Sequence, residues 1–149
     1  MRNGELWAIT SYFNPVGFRR PRENFERFRD ALGVPLLVAE VYETAPSFGP
    51  EDADIVLSLP GEPAIWQKER LLNLALGALP AAARYVAWLD CDILFASEDW
   101  GRDAVARLRA GAEVVQPFEC AISLGADGND GALREEVMPG FNLDRKSVV

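Results

Sequence analysis

No histidine occurs anywhere in the 149 residues. That removes Ser-His-Asp and Cys-His catalysis and every zinc site that needs imidazole. Any metal held here would be a hard cation bound through oxygen. Cysteine is almost as scarce: Cys91 and Cys120 make no disulfide framework. No apolar run approaches the roughly 20 residues that span a bilayer. Residues 1–5 lead almost directly into a strand-like segment, without the apolar stretch of a signal peptide. These absences set the expectation of a cytoplasmic protein with no transmembrane segment. Positive charge is also short. Fifteen Lys and Arg stand against 23 Asp and Glu, a net charge of −8. A polyphosphate backbone is repelled by such a chain, so nucleic acid is not an expected partner. The deficit concentrates in residues 51–100, where three basic residues meet nine acidic ones. The twelve glycines and ten prolines follow no fixed period, and no repeat or low-complexity tract is present.

What is present is an ordinary globular composition, 49% hydrophobic and 26% charged, in about one domain's length; residues 1–149 are read as a single domain. Leu6–Phe13 is rich in β-branched and aromatic residues and reads as a buried strand. From Pro21 the period changes. Phe25, Phe28 and Leu32 fall at i, i+3 and i+7, an amphipathic helix that Gly33 stops. Pro35–Tyr42 and Ala53–Leu59 read as strands, the latter ended by Pro60-Gly61. Ile65–Leu79 reads as a helix with Ile65, Leu72, Leu76 and Leu79 as its apolar stripe and Pro80 as its stop. Tyr85–Leu89 is a nearly continuous apolar run, the pattern of a central strand covered on both faces. Ser97 caps a helix running through Arg109 that Gly111 ends, and Val114–Ile122 is a fifth strand. Trp66 and Trp88 are assigned to the core. This alternation predicts a three-layer α/β/α sandwich with a mostly parallel sheet, in which Leu6–Phe13, Pro35–Tyr42 and Tyr85–Leu89 are adjacent or nearly so.

The informative constellation is Asp90-Cys91-Asp92, directly after YVAWL. Open α/β sheets bind ligands at the carboxyl ends of their strands. Side chains alternate along an extended chain, so Asp90 and Asp92 point one way and Cys91 the other, into a small core position. Two carboxylates with a common direction can hold Mg²⁺ or Mn²⁺ through oxygen, and the bland alternative is a turn whose Asp side chains cap nearby N–H groups. Asp52-Ala53-Asp54 has the same spacing but precedes its strand, and reads as a solvated acidic loop. Arg19, Arg20 and Arg22 read as a solvated helix entrance rather than a phosphate grip. Asn73 interrupts LLNLAL, where Asn costs helix propensity; a bond to a neighbouring loop and a ligand contact are both open. Thr10, Ser11, Tyr12, Phe13 and Asn14 end the first strand on the same ligand-binding edge. Tyr12 or Phe13 would either stack on a base or be buried.

The combination WQKERLLNLALGALP…RYVAWLDCDILF resembles the nucleotide-sugar-binding half of GT-A fold glycosyltransferases. The likeness covers roughly residues 6–120 and is strongest in the helix, strand and DxD motif. It implies that Asp92 and Asp90 hold Mn²⁺ or Mg²⁺ against the diphosphate of a sugar nucleotide, a UDP-sugar, for transfer to an unknown acceptor. It further implies a donor-facing role for Asn73 and for Lys68 or Arg70, and places the nucleotide base near Thr10, Ser11, Tyr12 and Asn14. No catalytic base is assignable. Residues 121–149 depart from the family pattern, and the expectation is a chain truncated at its C-terminus.

Two rival readings stand beside this one. A truncated nucleotide-binding domain would bind the donor without turnover. A phosphohydrolase of the haloacid dehalogenase type also begins with a DxD after an apolar strand. That type usually has Thr or Val where Leu94 stands here, and more chain after its motif than the 57 residues that follow Asp92. A nucleotidyltransferase ranks below both, because no Gly-rich basic loop is present to cradle a triphosphate.

Overall fold

A computed structural model of the chain describes residues 4–62, 67–119, 121–123 and 134–136. The expectations for Ile65 and Trp66 lie outside the described residues. The elements are β1 (Leu6–Tyr12), α1 (Arg19–Ala31), β2 (Leu36–Tyr42), β3 (Ile55–Pro60), α2 (Lys68–Ala78), β4 (Tyr85–Trp88), α3 (Trp100–Arg109), β5 (Ala121–Ser123) and β6 (Arg134–Glu136). Strands β1 to β4 form one parallel sheet in the order β3-β2-β1-β4. This is an α/β fold. By its contacts the chain divides into two compact units, Met1–Gly101 and Arg102–Val149, and the four-stranded sheet belongs to the first.

The two central strands owe their place to apolar side chains on both faces. On one face Ile9, Leu37 and Ala39 pack against Leu71, Leu72 and Ala75 of α2, with Ile55, Leu57 and Leu59 at the margin. Alternation turns Tyr12 to the other face, where its ring meets Phe25 of α1 edge-on, centroids 5.9 Å apart, and Phe48 at 4.6 Å. The stripe of α2 differs from the expected one: Leu76 is exposed, because Leu71, Leu72 and Ala75 form the buried face. Helix α1 begins at Arg19, two residues before the expected start, and Pro21 is accommodated in the first turn, where N–H groups have no helical partner. Gly33 follows the helix at φ +75°, the left-handed conformation that the stop signal anticipated.

Among the described residues the run Tyr85–Leu89 is not a central strand. Among the described residues β4 pairs only with β1, so it is the edge of the sheet, and Trp88, assigned to the core from sequence, is 52% exposed. An unbroken apolar run reports hydrophobicity on two faces; it does not report whether a further strand lies alongside.

The acidic loop is also not solvated throughout. Asp52 is 3% exposed. It is ion-paired with Arg22, lies 3.4 Å from Arg29, and accepts the Gly49 N–H at 2.8 Å. Arg22 therefore belongs to a clamp rather than to a solvated helix entrance. Its guanidinium also lies 5.0 Å from the Phe48 ring centroid, a cation–π contact. Asp54 accepts the Leu36 N–H at 2.9 Å.

Trp100 closes the first unit. It is 2% exposed and stacks on Phe95 at 4.1 Å. Its Nε1 donates to the Leu32 carbonyl at 3.0 Å, satisfying an acceptor at the end of α1. The helix begins here and not just after Ser97, whose hydroxyl instead accepts the Asp99 N–H in the preceding turn. In the second unit Gly111, at φ +106°, ends α3 as expected. The expected fifth strand over Val114–Ile122 is not formed: 112–119 is irregular and only Ala121–Ser123 is extended, pairing antiparallel with Arg134–Glu136. Pro117 explains this, since it has no N–H to give to a ladder. Among the described residues no helix is long and apolar enough to cross a membrane.

Candidate functional site

The order β3-β2-β1-β4 makes β1 the point at which the chain reverses direction across the sheet. After β1 it runs outward through β2 to β3, then returns through α2, on the opposite face from α1, to β4 on the far side of β1. Ligands of open α/β sheets bind at such a switch point, beyond the carboxyl ends of the strands. Here that edge is built from Ser11–Asn14, the end of β1 and the residues just after it, and from Leu89–Asp92 after β4. The two segments are tied together: Leu89 N–H donates to Ile9 O at 3.1 Å, and the buried Thr10 hydroxyl donates to Leu89 O at 2.8 Å. Thr10 is thus committed to holding β4 against β1.

Asp90 and Asp92 are both exposed, with Cys91 between them more buried, and Cys91-Asp92 form a turn after β4 rather than a continuation of the strand. Lys68, the first residue of α2, forms an ion pair with Asp90. The helix starts at the carboxyl edge of the sheet, which brings this lysine to the acids. Arg70 instead bonds Gln67. Asn73 is exposed, and at 3.6 residues per turn it lies about 140° round the helix from Lys68. Of the three side chains of α2 assigned to the donor, only Lys68 is brought to the acidic pair. Asp92 carries no ion pair among the described residues.

The loop after β1 is fixed by Asn14. Its Nδ2 donates to Phe18 O at 2.8 Å and to the Tyr12 hydroxyl at 3.0 Å, while Oδ1 accepts the Phe18 N–H at 2.9 Å. Tyr12 is 3% exposed, buried with Phe25 and Phe48, so its ring offers no stacking surface, and burial holds its hydroxyl pKa above the ordinary 10.0. Ser11 is half-buried. The aromatic surface on the loop comes from Phe13, 36% exposed, and from Phe18, 63% exposed. Sequence reasoning missed Phe18; the signal was an apolar residue beside an arginine-rich helix start. It also missed Glu40, 1% exposed in β2, which accepts from Ser47 N–H, Phe48 N–H and the Ser58 hydroxyl and so fastens the β2–β3 connection. The signal was an acid inside an otherwise apolar strand.

Burial, then the neighbouring Asp92 and Asp90, push the Cys91 thiol from 9.0 up to about 11. Such a group is protonated at neutral pH and is a poor nucleophile. In metal-free Cys120→Ser protein, Cys91 is expected to alkylate at pH 8 about a hundredfold more slowly than a free thiol, from its smaller thiolate fraction. Native protein modified as fast as unfolded protein in an iodoacetamide time course would contradict this.

Among the described residues no group of three or more His, Cys, Asp or Glu side chains converges. Two carboxylates are nevertheless the complement by which Mg²⁺ sites that share substrate phosphates are held. The donor set suits a hard cation that brings other ligands with it, and the ammonium of Lys68 on Asp90 marks the place where positive charge is attracted. A shallow cavity of about 480 Å³ lies at the opposite end of the strands, lined by Arg29, Asp30, Val34, Glu51, Asp52 and Asp54. Its buried acid, Asp52, is already paired, so the switch-point edge is the better candidate. No protein-family model, curated protein or solved structure matches the chain.

Proposed function

We propose that the edge formed by Ser11–Asn14, Lys68 and Asp90–Asp92 binds a nucleoside-diphosphate sugar, a UDP-sugar, with Mn²⁺ or Mg²⁺, and that the protein is a glycosyltransferase of GT-A type acting on an acceptor yet to be identified. The observation that carries this reading is the exposed pair Asp90 and Asp92 just beyond the carboxyl end of β4, beside the switch point, with Asp90 ion-paired to Lys68. The resemblance of the WQKERLLN…YVAWLDCD segment supports it.

When bound, the cation supplies Lewis acidity and neutralises the leaving diphosphate. Asp92 and Asp90 would hold it. Lys68 adds positive charge at the phosphate pole. The exposed faces of Phe13 and Phe18, set by the Asn14 clamp, present apolar surface to the base. Binding of the donor without transfer is the second reading.

The reading is tested by incubating the protein with Mn²⁺ and each of a set of UDP-sugars, following release of UDP, in parallel with an aryl phosphate. The expected result is metal-dependent binding of UDP-sugar, with UDP release in the presence of a competent acceptor and no aryl phosphate hydrolysis. Phosphate release from the aryl ester without UDP binding would instead support the dehalogenase-type phosphohydrolase.

A further inference from the structure

We infer that Lys68 is a displaceable counter-ion that makes cation and diphosphate enter the site together. The inference rests on the proposed donor-binding role of Asp90 and Asp92 and adds a control on it. In the ligand-free protein the Lys68 ammonium sits on Asp90, one of the two acids, while Asp92 has no ion pair among the described residues. The Lys68 side chain is 26% exposed and that of Asp90 57% exposed, so the pair is open to solvent and to exchange.

A divalent cation arriving alone meets a carboxylate already neutralised and a like charge beside it. It must displace Lys68 from Asp90 and leave the ammonium unpaired, or bind through Asp92 alone. A diphosphate arriving alone meets two carboxylates of its own sign, and the one lysine there is already paired with Asp90. When both arrive, the cation takes the carboxylates, and the released ammonium has phosphate oxygens to pair with. Each ligand removes the penalty of the other. Coupling of this kind is reciprocal: whatever factor the diphosphate adds to cation affinity, the cation adds to diphosphate affinity.

The site follows from the fold. Lys68 is the first residue of α2, and the next turn is anchored by Leu71 and Leu72 in the core. The helix start therefore stays at the sheet edge while the flexible lysine stem swings between the two partners. Arg70 bonds Gln67 and makes no ion pair with either acid among the described residues, so it is not placed as the counter-ion.

The test compares wild type with Lys68→Met, Lys68→Gln and Lys68→Arg. Binding of Mn²⁺ alone is followed by the electron paramagnetic resonance of the free ion, and binding of UDP at saturating Mn²⁺ by calorimetry. Either neutral variant is expected to bind Mn²⁺ alone more tightly than wild type and UDP with Mn²⁺ more weakly, each by about five- to tenfold, within the usual range of coupling between sites. Lys68→Arg, which keeps the charge, should stay close to wild type in Mn²⁺ binding. An exposed pair contributes little to folding, so melting temperatures should barely move, and two neutral variants guard against one that fails to fold. If the neutral variants bind Mn²⁺ no more tightly while wild type still binds UDP in a metal-dependent way, the counter-ion role is wrong and the donor site stands. If wild type shows no metal-dependent UDP binding, the donor site itself is wrong, and the inference falls with it.

Discussion

Replacing Asp92 by Asn should weaken metal-dependent UDP binding by well over tenfold, more than about 1.4 kcal/mol. Asp92 is the carboxylate at the switch point that no ion pair engages among the described residues, so it is the one ready to meet a cation. The amide keeps the shape and an oxygen but loses the charge that a hard cation selects. Asp90→Asn should also weaken binding, by less, because losing that acid at the same time frees Lys68. The control is Asp52→Asn. Asp52 belongs to the same Asp-x-Asp spacing but lies before β3, at the opposite end of the strands, and is tied to Arg22 and Arg29. That substitution should lower stability, since it weakens a buried ion pair, and leave UDP binding unchanged at temperatures where the variant is folded. Titration of the three variants with UDP at fixed Mn²⁺ measures all of this. Equal losses at Asp52 and Asp92 would mean that the acids act through the fold and not through a ligand.

The largest effect on stability is expected at Trp100. Truncation to Ala removes the stack on Phe95, empties a site that is 2% exposed, and leaves the Leu32 carbonyl without its indole donor. Burial of this kind is worth about 3–5 kcal/mol, against a total stability of order 5–15 kcal/mol for a domain. Trp100→Phe keeps a ring in the site and loses the hydrogen bond, a net contribution of about 1 kcal/mol, together with some packing. Urea denaturation followed by circular dichroism separates the two. A loss below about 1 kcal/mol for Trp100→Ala would contradict the packing described, on the usual cost of large core truncations.

Why these positions were readable, or not, has physical causes. Leu6–Tyr12 and Leu36–Tyr42 are buried on both faces, so their β-branched and apolar runs announce strands without help from context. Gly33 and Gly111 take positive φ because no other residue does so at low cost. Trp88 was misplaced because the exposure of an edge strand depends on what flanks it in space, which a local pattern does not contain. The buried ion pair of Asp52 was illegible for a similar reason: its partners Arg22 and Arg29 are on α1, some thirty and twenty-three residues back. At the candidate site Asp90 and Asp92 are exposed, but β4 ends at Trp88 and Cys91-Asp92 lie in a turn, so strand alternation does not set the direction of the two acids. The choice among Lys68, Arg70 and Asn73 was not legible either, because it depends on where α2 begins relative to the sheet edge. The fate of Tyr12 was open in sequence and is decided by Phe25 and Phe48 packing around it.

On the proposed function, Asp90 and Asp92 recruit a nucleoside diphosphate through a divalent cation. Calorimetry of wild-type protein with UDP tests it most directly, once with Mn²⁺ and once with the metal removed by chelator. Saturable binding is expected with Mn²⁺, and loss of that binding when the metal is removed. Tight UDP binding that ignores the metal, or no UDP binding under either condition, would contradict it.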